Sequence, residues 1–177
     1  IFKNKGIVNH AVAKERIRSE IIKSMAYEKP SLFFVALQKT GLLKNILPSL
    51  DRCVGLDGGP FHKETVFDHL MIVGDSLSRK NPLLRLAGFL HDVGKYDAIS
   101  QKNGSITFKG HENHYQAMVD DLDFLRFSKK EVAYISSMTQ IHMRPLTPKT
   151  TPKSARRILI MLEEHQISYQ DFLRLRI

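Results

Sequence analysis

Residues 82–95, PLLRLAGFLHDVGK, decide the fold class. Asn81 is a typical N-cap residue and Pro82 suits a first helical turn, so we predict a helix that ends at His91. The segment is almost wholly apolar before His91, which predicts a helix buried on most sides. An ionised Asp92 at the end of such a helix is costly unless a cation or hydrogen-bond donors compensate it. A metal ion beside His91 and Asp92 would supply that compensation.

The His-Asp dipeptide alone leaves a second explanation open. A histidine at a helix C-terminus, hydrogen-bonded to the neighbouring carboxylate, accounts for the pair without a metal. If a metal is bound, nitrogen and oxygen ligands suit zinc, manganese, iron, nickel or cobalt, and magnesium is a further candidate. An open position on the metal lowers the pKa of bound water and supplies a nucleophile. Lys95, one turn after His91 if the helix continues, is placed to pair with a substrate phosphate.

Apolar residues recur at helical spacing along nearly the whole chain, which predicts an all-α helical bundle. The glycine-rich residues 51–64 predict a loop, and Asn103-Gly104 predicts a small β-hairpin after the His-Asp motif. The expected helices run from about Ile17 to before Pro30, from Ser31 to Gly41, over LLKNIL up to Pro48, over 65–78, 82–91, 111–121, 129–142 and 153–165, and from about Ser168 onward.

The bulk composition bounds the function classes. The chain has 177 residues, of which 42% are hydrophobic, so it can bury one sizeable core. Its net charge of +9 favours contact with polyanions, although a generically basic surface explains it equally well. A single cysteine, Cys53, excludes an internal disulfide and a thiolate-only zinc site, and no 18-residue apolar run predicts a membrane span. We therefore expect a cytoplasmic protein of undetermined oligomeric state.

The histidines fall into two groups by position. Five lie on or at the ends of predicted helices, where they can converge inside a bundle: His69, His91, His111, His114 and His142. The others are expected at the surface or on a rim, as is His114 of the first group: His10, His62 and His165. Arg156-Arg157, with nearby lysines, predicts a solvated basic cluster that is also able to touch RNA phosphates.

Four motifs follow one another in a specific order: PFHKETVFDHLMIV (60–73), LRLAGFLHDVGK (84–95), FKGHENH (108–114) and IHMRP (141–145). In this combination, residues 57–144 resemble an HD domain, a family named for its adjacent His-Asp metal ligands. The resemblance is to the HD domain of bacterial CCA-adding enzymes, which are tRNA nucleotidyltransferases related to poly(A) polymerases. Residues 14–55 resemble the helical neck of the same enzymes. The resemblance thus implies a neck-like segment, 1–56, packed as one unit with an HD domain and C-terminal helices, 57–177.

The resemblance also implies roles for individual residues. His69, His91 and Asp92 would be metal ligands, and His111 and His142 would either complete a dinuclear site or bind phosphate. Asp92 and Lys95 would be catalytic. Lys95 and Arg144 would neutralise the substrate.

Two functions follow as expectations. The first is a metal-dependent phosphohydrolase, of phosphatase or 2′,3′-cyclic phosphodiesterase type, acting on nucleotides or RNA ends; a nucleoside triphosphohydrolase shares the same ligand set. The second is the RNA-binding body of a larger tRNA nucleotidyltransferase, with a vestigial HD site and tRNA-like RNA as the partner. The chain lacks the nucleotidyltransferase head and stops at Ile177, after QDFLRLRI, where the family's closing aspartate is expected next. We therefore expect a longer natural protein.

Overall fold

A computed structural model describes residues 12–60, 63–102, 104–144, 147 and 149–175. The expectations for His10, His62 and Asn103 lie outside these ranges. The first helices are α1 (Lys14–Ser24), α2 (Ser31–Lys39), α3 (Leu43–Ile46), α4 (Pro48–Asp51), α5 (Val66–Ser76), α6 (Pro82–Leu90) and α7 (Lys95–Ala98). Two strands, β1 (Ser100–Lys102) and β2 (Ser105–Thr107), and a 3-10 turn (His111–Asn113) precede α8 (Gln116–Phe124), α9 (Lys129–Ile141), α10 (Pro152–Glu164) and α11 (Tyr169–Leu175).

The predicted fold class is confirmed. The described residues form a mostly helical chain, and β1 and β2 pair antiparallel, with Gln101 opposite Ile106, directly after the His-Asp motif. Sequence signals mark several helix starts correctly. The Asn81 side chain caps α6 at the Leu84 N–H, and Ser128 and Glu131 form the predicted capping box of α9.

One predicted boundary is wrong and one helix was not predicted. The helix expected up to Pro48 ends before it, as predicted, but Pro48 also opens α4 as its first residue, where a missing N–H costs nothing. The single helix expected over 111–121 is a 3-10 turn followed by α8. A Cβ on Gly94 would lie 2.2 Å from the His111 carbonyl oxygen, so the turn packs directly on the backbone that follows Asp92.

Helix α6 lies at the centre of the core. It packs against α5 on one side and α9 on another, and all its residues from Leu84 to Leu90 are buried, as predicted. The α5–α6 contact is close because glycines lie in it: a Cβ on Gly74 would meet the Phe89 ring at 2.4 Å. Close packing of this kind fixes the end of α6, where the His-Asp motif begins.

The N-terminal helices are attached to the bundle through a buried arginine. Helix α1 contacts α6, and α2 contacts α5. The Arg85 guanidinium, 1% exposed, donates only to backbone carbonyls, those of Met25, Tyr27, Glu28, Gly74 and Asp75. The Asp75 carboxylate in turn accepts from the Ser31 N–H at 3.0 Å and from its hydroxyl at 2.6 Å, at the start of α2. The division of the chain at residue 56 stays a prediction.

The C-terminal helix α11 packs against α6 and α9. Asp171 on α11 accepts hydrogen bonds from the Asn81 side-chain amide at 3.0 Å and from the Tyr134 hydroxyl at 3.2 Å. Among the described helices, none has the length and apolarity needed to cross a membrane.

Candidate metal centre

The candidate site begins where α6 ends. His91 is the C-cap residue of α6, and Asp92, Val93 and Gly94 turn the chain before α7 starts at Lys95. The helix therefore does not continue to Lys95; a turn with the Lys95 N–H on the Asp92 carbonyl at 3.0 Å brings the lysine back instead.

Three further histidines reach Asp92 from other elements. His69 comes from α5, His111 from the 3-10 turn, and His142 is the C-cap residue of α9. Both the turn and α9 are packed against neighbours of the motif, which fixes the approach of their side chains. All five residues predicted as ligands thus lie together, although they are spread along the chain from His69 to His142.

Asp92 is the centre of the arrangement. Its Oδ1 lies 2.8 Å from His111 Nε2 and 3.2 Å from His142 Nε2, and these two nitrogens are 3.2 Å apart. Its Oδ2 lies 2.7 Å from the Lys95 ammonium, 3.5 Å from His91 Nε2 and 3.7 Å from His69 Nε2. Two sets of three potential ligands therefore share the carboxylate: His69, His91 and Asp92, and Asp92, His111 and His142.

Backbone carbonyls fix the tautomers of the three innermost histidines. Each Nδ1 lies within hydrogen-bond distance of the carbonyl three residues earlier: His91 with Gly88 at 2.9 Å, His111 with Phe108 at 2.9 Å and His142 with Thr139 at 2.5 Å. A carbonyl oxygen only accepts, so Nδ1 carries the proton in each ring. A neutral ring then presents its Nε2 lone pair to the centre, as in proteins whose metal-binding histidines are oriented by a carbonyl.

This arrangement fits a bound cation. With neutral rings, the lone pairs of His111 and His142 point at Asp92 Oδ1, a buried atom that has no hydrogen-bond donor within the described part of the chain. Lone pairs that converge without a proton repel one another unless a positive charge lies between them. A divalent metal ion supplies that charge, and imidazole nitrogen with carboxylate oxygen is a suitable ligand set. The cluster could therefore hold a metal ion.

The pKa shifts of His91 and Asp92 agree with a site of neutral imidazole nitrogens and an ionised carboxylate. Burial lowers the pKa of His91 to about 4, so the ring is neutral near pH 7. Burial alone would raise the pKa of Asp92, but His91, the hydrogen bonds from His111 and His142, and Lys95 hold it well below its ordinary range. Burial lowers the pKa of His111 less than its hydrogen bond to Asp92 and the charge of Asp92 raise it. Without a metal, a proton on His111 Nε2 takes the place of the cation.

The cluster lies in a cavity of about 830 Å³. Sequence reasoning missed several other residues that line this cavity, although FKGH, one of the four motifs, contributes Phe108, Lys109 and Gly110 to the lining. Further lining residues come from distant segments, among them Gly58, Ile106, Met143 and Leu175, and no spacing in the sequence indicates that they meet.

The remaining predicted residues lie outside this cluster. Arg144 is exposed and is not among the cavity-lining residues, so its substrate-binding role stays a prediction. His114 and His165 are exposed, as expected, and so are Arg156 and Arg157.

Comparison with known proteins adds two findings. Residues 10–54 match the family described as the probable RNA and SrmB-binding site of polymerase A. The chain is 32% identical over 106 residues to a multifunctional CCA protein of Methylococcus capsulatus, covering 58% of this chain and 24% of that protein. It is 38% identical over 96 residues to the same kind of protein of Aromatoleum aromaticum, with coverages of 52% and 23%.

An A-adding tRNA nucleotidyltransferase of Deinococcus radiodurans is 30% identical over 138 residues, which are 74% of this chain and 32% of that protein. The chain thus spans about a quarter to a third of the length of these relatives. The ordered motifs, the match over residues 10–54 and these identities agree: the chain is homologous to part of the bacterial CCA-adding enzymes and carries a buried His/Asp cluster that could bind a metal.

Proposed function

We propose that the chain is a metal-dependent phosphohydrolase, of phosphatase or 2′,3′-cyclic phosphodiesterase type, that acts on nucleotides or RNA ends. One observation carries the proposal: the buried Asp92 Oδ1 faces the Nε2 atoms of His111 and His142, while the Nδ1 atoms of both rings lie against backbone carbonyls. With both rings neutral, this buried acceptor would be orphaned at a cost of about 1–3 kcal/mol unless a cation lies between the three atoms. Action on tRNA or nucleotides would place the protein in the cytoplasm.

The proposal assigns metal binding and phosphate binding to different residues of the cluster. His69, His91 and Asp92 would hold a metal, and His111 and His142 would hold a second ion or a phosphoryl oxygen. When bound, a zinc, manganese, nickel, iron, cobalt or magnesium ion lowers the pKa of a ligated water and polarises the phosphoryl group.

The protein's own groups would complete the reaction. Asp92 or one of the histidines of the cluster would accept a proton from the attacking water. The Lys95 ammonium, 6% exposed and 2.7 Å from Asp92 Oδ2, adds a fixed positive charge beside the phosphate position. Arg144, exposed two residues after His142, would meet an anionic substrate from outside the cavity.

The test combines metal content with turnover. We expect purified protein to retain a divalent metal, measured by elemental analysis, and to hydrolyse 2′,3′-cyclic AMP or 3′-AMP in the presence of added metals. Asp92→Asn should lose the metal and at least about 10³-fold in kcat/KM, which corresponds to ~4 kcal/mol of transition-state stabilisation. Asp123→Asn, an exposed carboxylate on α8, is the matched control and should change neither. Equal metal content and turnover in the two variants would refute the proposal.

A second candidate function is favoured by the match over residues 10–54 and by the charge of +9. In this alternative the chain is the RNA-binding body of a larger tRNA nucleotidyltransferase and the His/Asp cluster is vestigial. Binding to tRNA-like RNA would then survive metal chelation and fall steeply with salt concentration. Absence of salt-sensitive RNA binding would exclude it.

A further inference from the structure

The cavity at the metal centre is lined by side chains of two kinds. Its polar lining includes His69, His91, Asp92 and Lys95; its apolar lining, here called the apolar wall, consists of Pro60, Ile106, Phe108, Met143 and Leu175. Met143 is 57% exposed, although apolar side chains of this size favour burial. A purely inorganic ligand would need only the polar lining residues.

Phe108 is held in a fixed position within the apolar wall. Gly59 has a φ of +82°, a backbone conformation that favours glycine, and a Cβ there would lie only 3.1 Å from Phe108 Cε2. The loop backbone can therefore lie close against the ring. The Phe108 carbonyl also accepts the hydrogen bond from His111 Nδ1 at 2.9 Å, which links the ring's position to that of a metal ligand.

The ring lies close to the predicted phosphate position. The Lys95 ammonium is 5.5 Å from the centre of the Phe108 ring. A single small molecule with a phosphate at one end and a planar group at the other could contact both. The cavity volume of about 830 Å³ is within the ~300–1,000 Å³ found for small-molecule sites.

The Lys95–Phe108 pair differs from an ordinary surface contact between a lysine and an aromatic ring. Phe124 on α8 offers the comparison: it is 43% exposed and has the Lys14 ammonium 3.8 Å from its ring centre. That pair is a surface cation–π contact and is not part of the cavity lining. Phe108 differs because its lysine belongs to the metal centre.

We propose that the apolar wall centred on Phe108 is a nucleobase subsite, which receives the base of a nucleotide whose phosphate lies at the His/Asp cluster. The inference rests on the proposed function, because it takes the phosphate position from it. Stacking on an aromatic face is open to every base, so the subsite distinguishes nucleotides from simple sugar phosphates but not one base from another. The nucleotide is either a free mononucleotide or the terminal residue of an RNA.

Calorimetric titration of the protein with AMP and with ribose 5-phosphate tests the subsite, with chelator and again with Mn²⁺. We expect AMP to bind about tenfold more tightly, as base stacking predicts. Phe108→Leu, which keeps an apolar side chain but loses the flat ring, should abolish this preference, whereas Phe108→Tyr should retain it. Phe124→Leu, the matched control, should leave the preference unchanged. Equal affinities in the wild type, or a preference that persists in Phe108→Leu, would overturn the inference.

Turnover separates this inference from the proposed function. If 3′-AMP and glycerol phosphate are hydrolysed equally well and Phe108→Leu changes neither, the subsite is refuted and the hydrolase stands. If neither is hydrolysed but the preference for AMP persists and depends on Phe108, the hydrolase is refuted and the subsite stands. A 3′-phosphorylated tetranucleotide that binds more tightly than AMP would identify an RNA end as the source of the base.

Discussion

Arg85 and Asp92 are both charged and both buried, with 1% and 3% of their surfaces exposed, yet their surroundings differ. The guanidinium of Arg85 donates to five backbone carbonyls, so its hydrogen-bonding capacity is used within the protein. Asp92 pairs one oxygen with Lys95, while the other faces two imidazole nitrogens that donate to it only when a ring takes up an additional proton. Burial of a charge alone therefore does not identify a site; an incomplete set of partners does.

The largest change in stability is expected for Arg85, whose buried charge has a full set of hydrogen-bond acceptors. Arg85→Met removes the guanidinium donors of five carbonyls, three between α1 and α2 and two in α5, of which several become buried acceptors without this partner. We expect the free energy of unfolding to fall by ~3–5 kcal/mol, and the melting temperature by roughly 10 °C. Thermal denaturation followed by circular dichroism measures the change.

Arg85→Lys is the control for charge. A lysine keeps the positive charge but has one ammonium in place of a planar group with several donors, so it should recover only part of the stability. Metal content per folded chain should be unchanged in both variants. A loss below ~1 kcal/mol in Arg85→Met would show that the five hydrogen bonds contribute little.

The second prediction concerns the incomplete partner set. A metal that binds only the folded state at 100 times its dissociation constant stabilises the protein by ~2.7 kcal/mol. We expect melting temperature to rise by several degrees with Mn²⁺ or Zn²⁺, measured by differential scanning calorimetry. His142→Gln, which removes one Nε2 beside Asp92 Oδ1, should reduce this rise, whereas Arg85→Lys should show the full rise from its lower starting point.

A rise of equal size in the wild type and in His142→Gln would place metal binding elsewhere. The same experiment separates the two regions, since the Arg85 corner should determine stability without metal and the His/Asp cluster should determine the response to it.

The sequence predicted more of the site than is usual for residues so far apart. His91 and Asp92 stood out because polar side chains end an apolar helix, and the ordered motifs added His69, His111 and His142. The positions of helix starts followed from caps such as Asn81 and Ser128, whose signals are local. These predictions depended on neighbouring residues or on recognisable motifs.

Other features could not be predicted because they depend on contacts between distant segments. In the sequence, Arg85 is a single polar residue within an apolar helix. Nothing near it in the sequence indicates that it donates hydrogen bonds to carbonyls within residues 25–28. The break of the expected 111–121 helix reflects the packing of His111 on Gly94. The apolar wall around Phe108 likewise assembles from segments spread between residues 58 and 175.

The smallest effect is expected for a partly exposed ion pair that joins α1 to α9. Arg18 donates to Glu131, with 32% and 17% of the two side chains exposed. Burial would raise the pKa of Glu131, but the hydrogen bond from the Ser128 backbone and that from Arg18 lower it below its ordinary range. A carboxyl with a lowered pKa in the folded state adds stability above its unfolded pKa, and this is lost as pH falls through the folded value.

Glu131→Gln should therefore reduce the free energy of unfolding by only about 1 kcal/mol at pH 7, because half-exposed pairs are screened by solvent. The difference from the wild type should shrink as pH falls below the ordinary glutamate pKa of ~4.3, and it should vanish once pH lies below the lowered pKa of the folded state. Urea unfolding at pH 7 and at a series of lower pH values measures this change. If Glu131→Gln cost as much as Arg85→Met, a partly exposed ion pair between α1 and α9 would stabilise the fold as much as the five hydrogen bonds of Arg85, and the expected ranking of the two would be wrong.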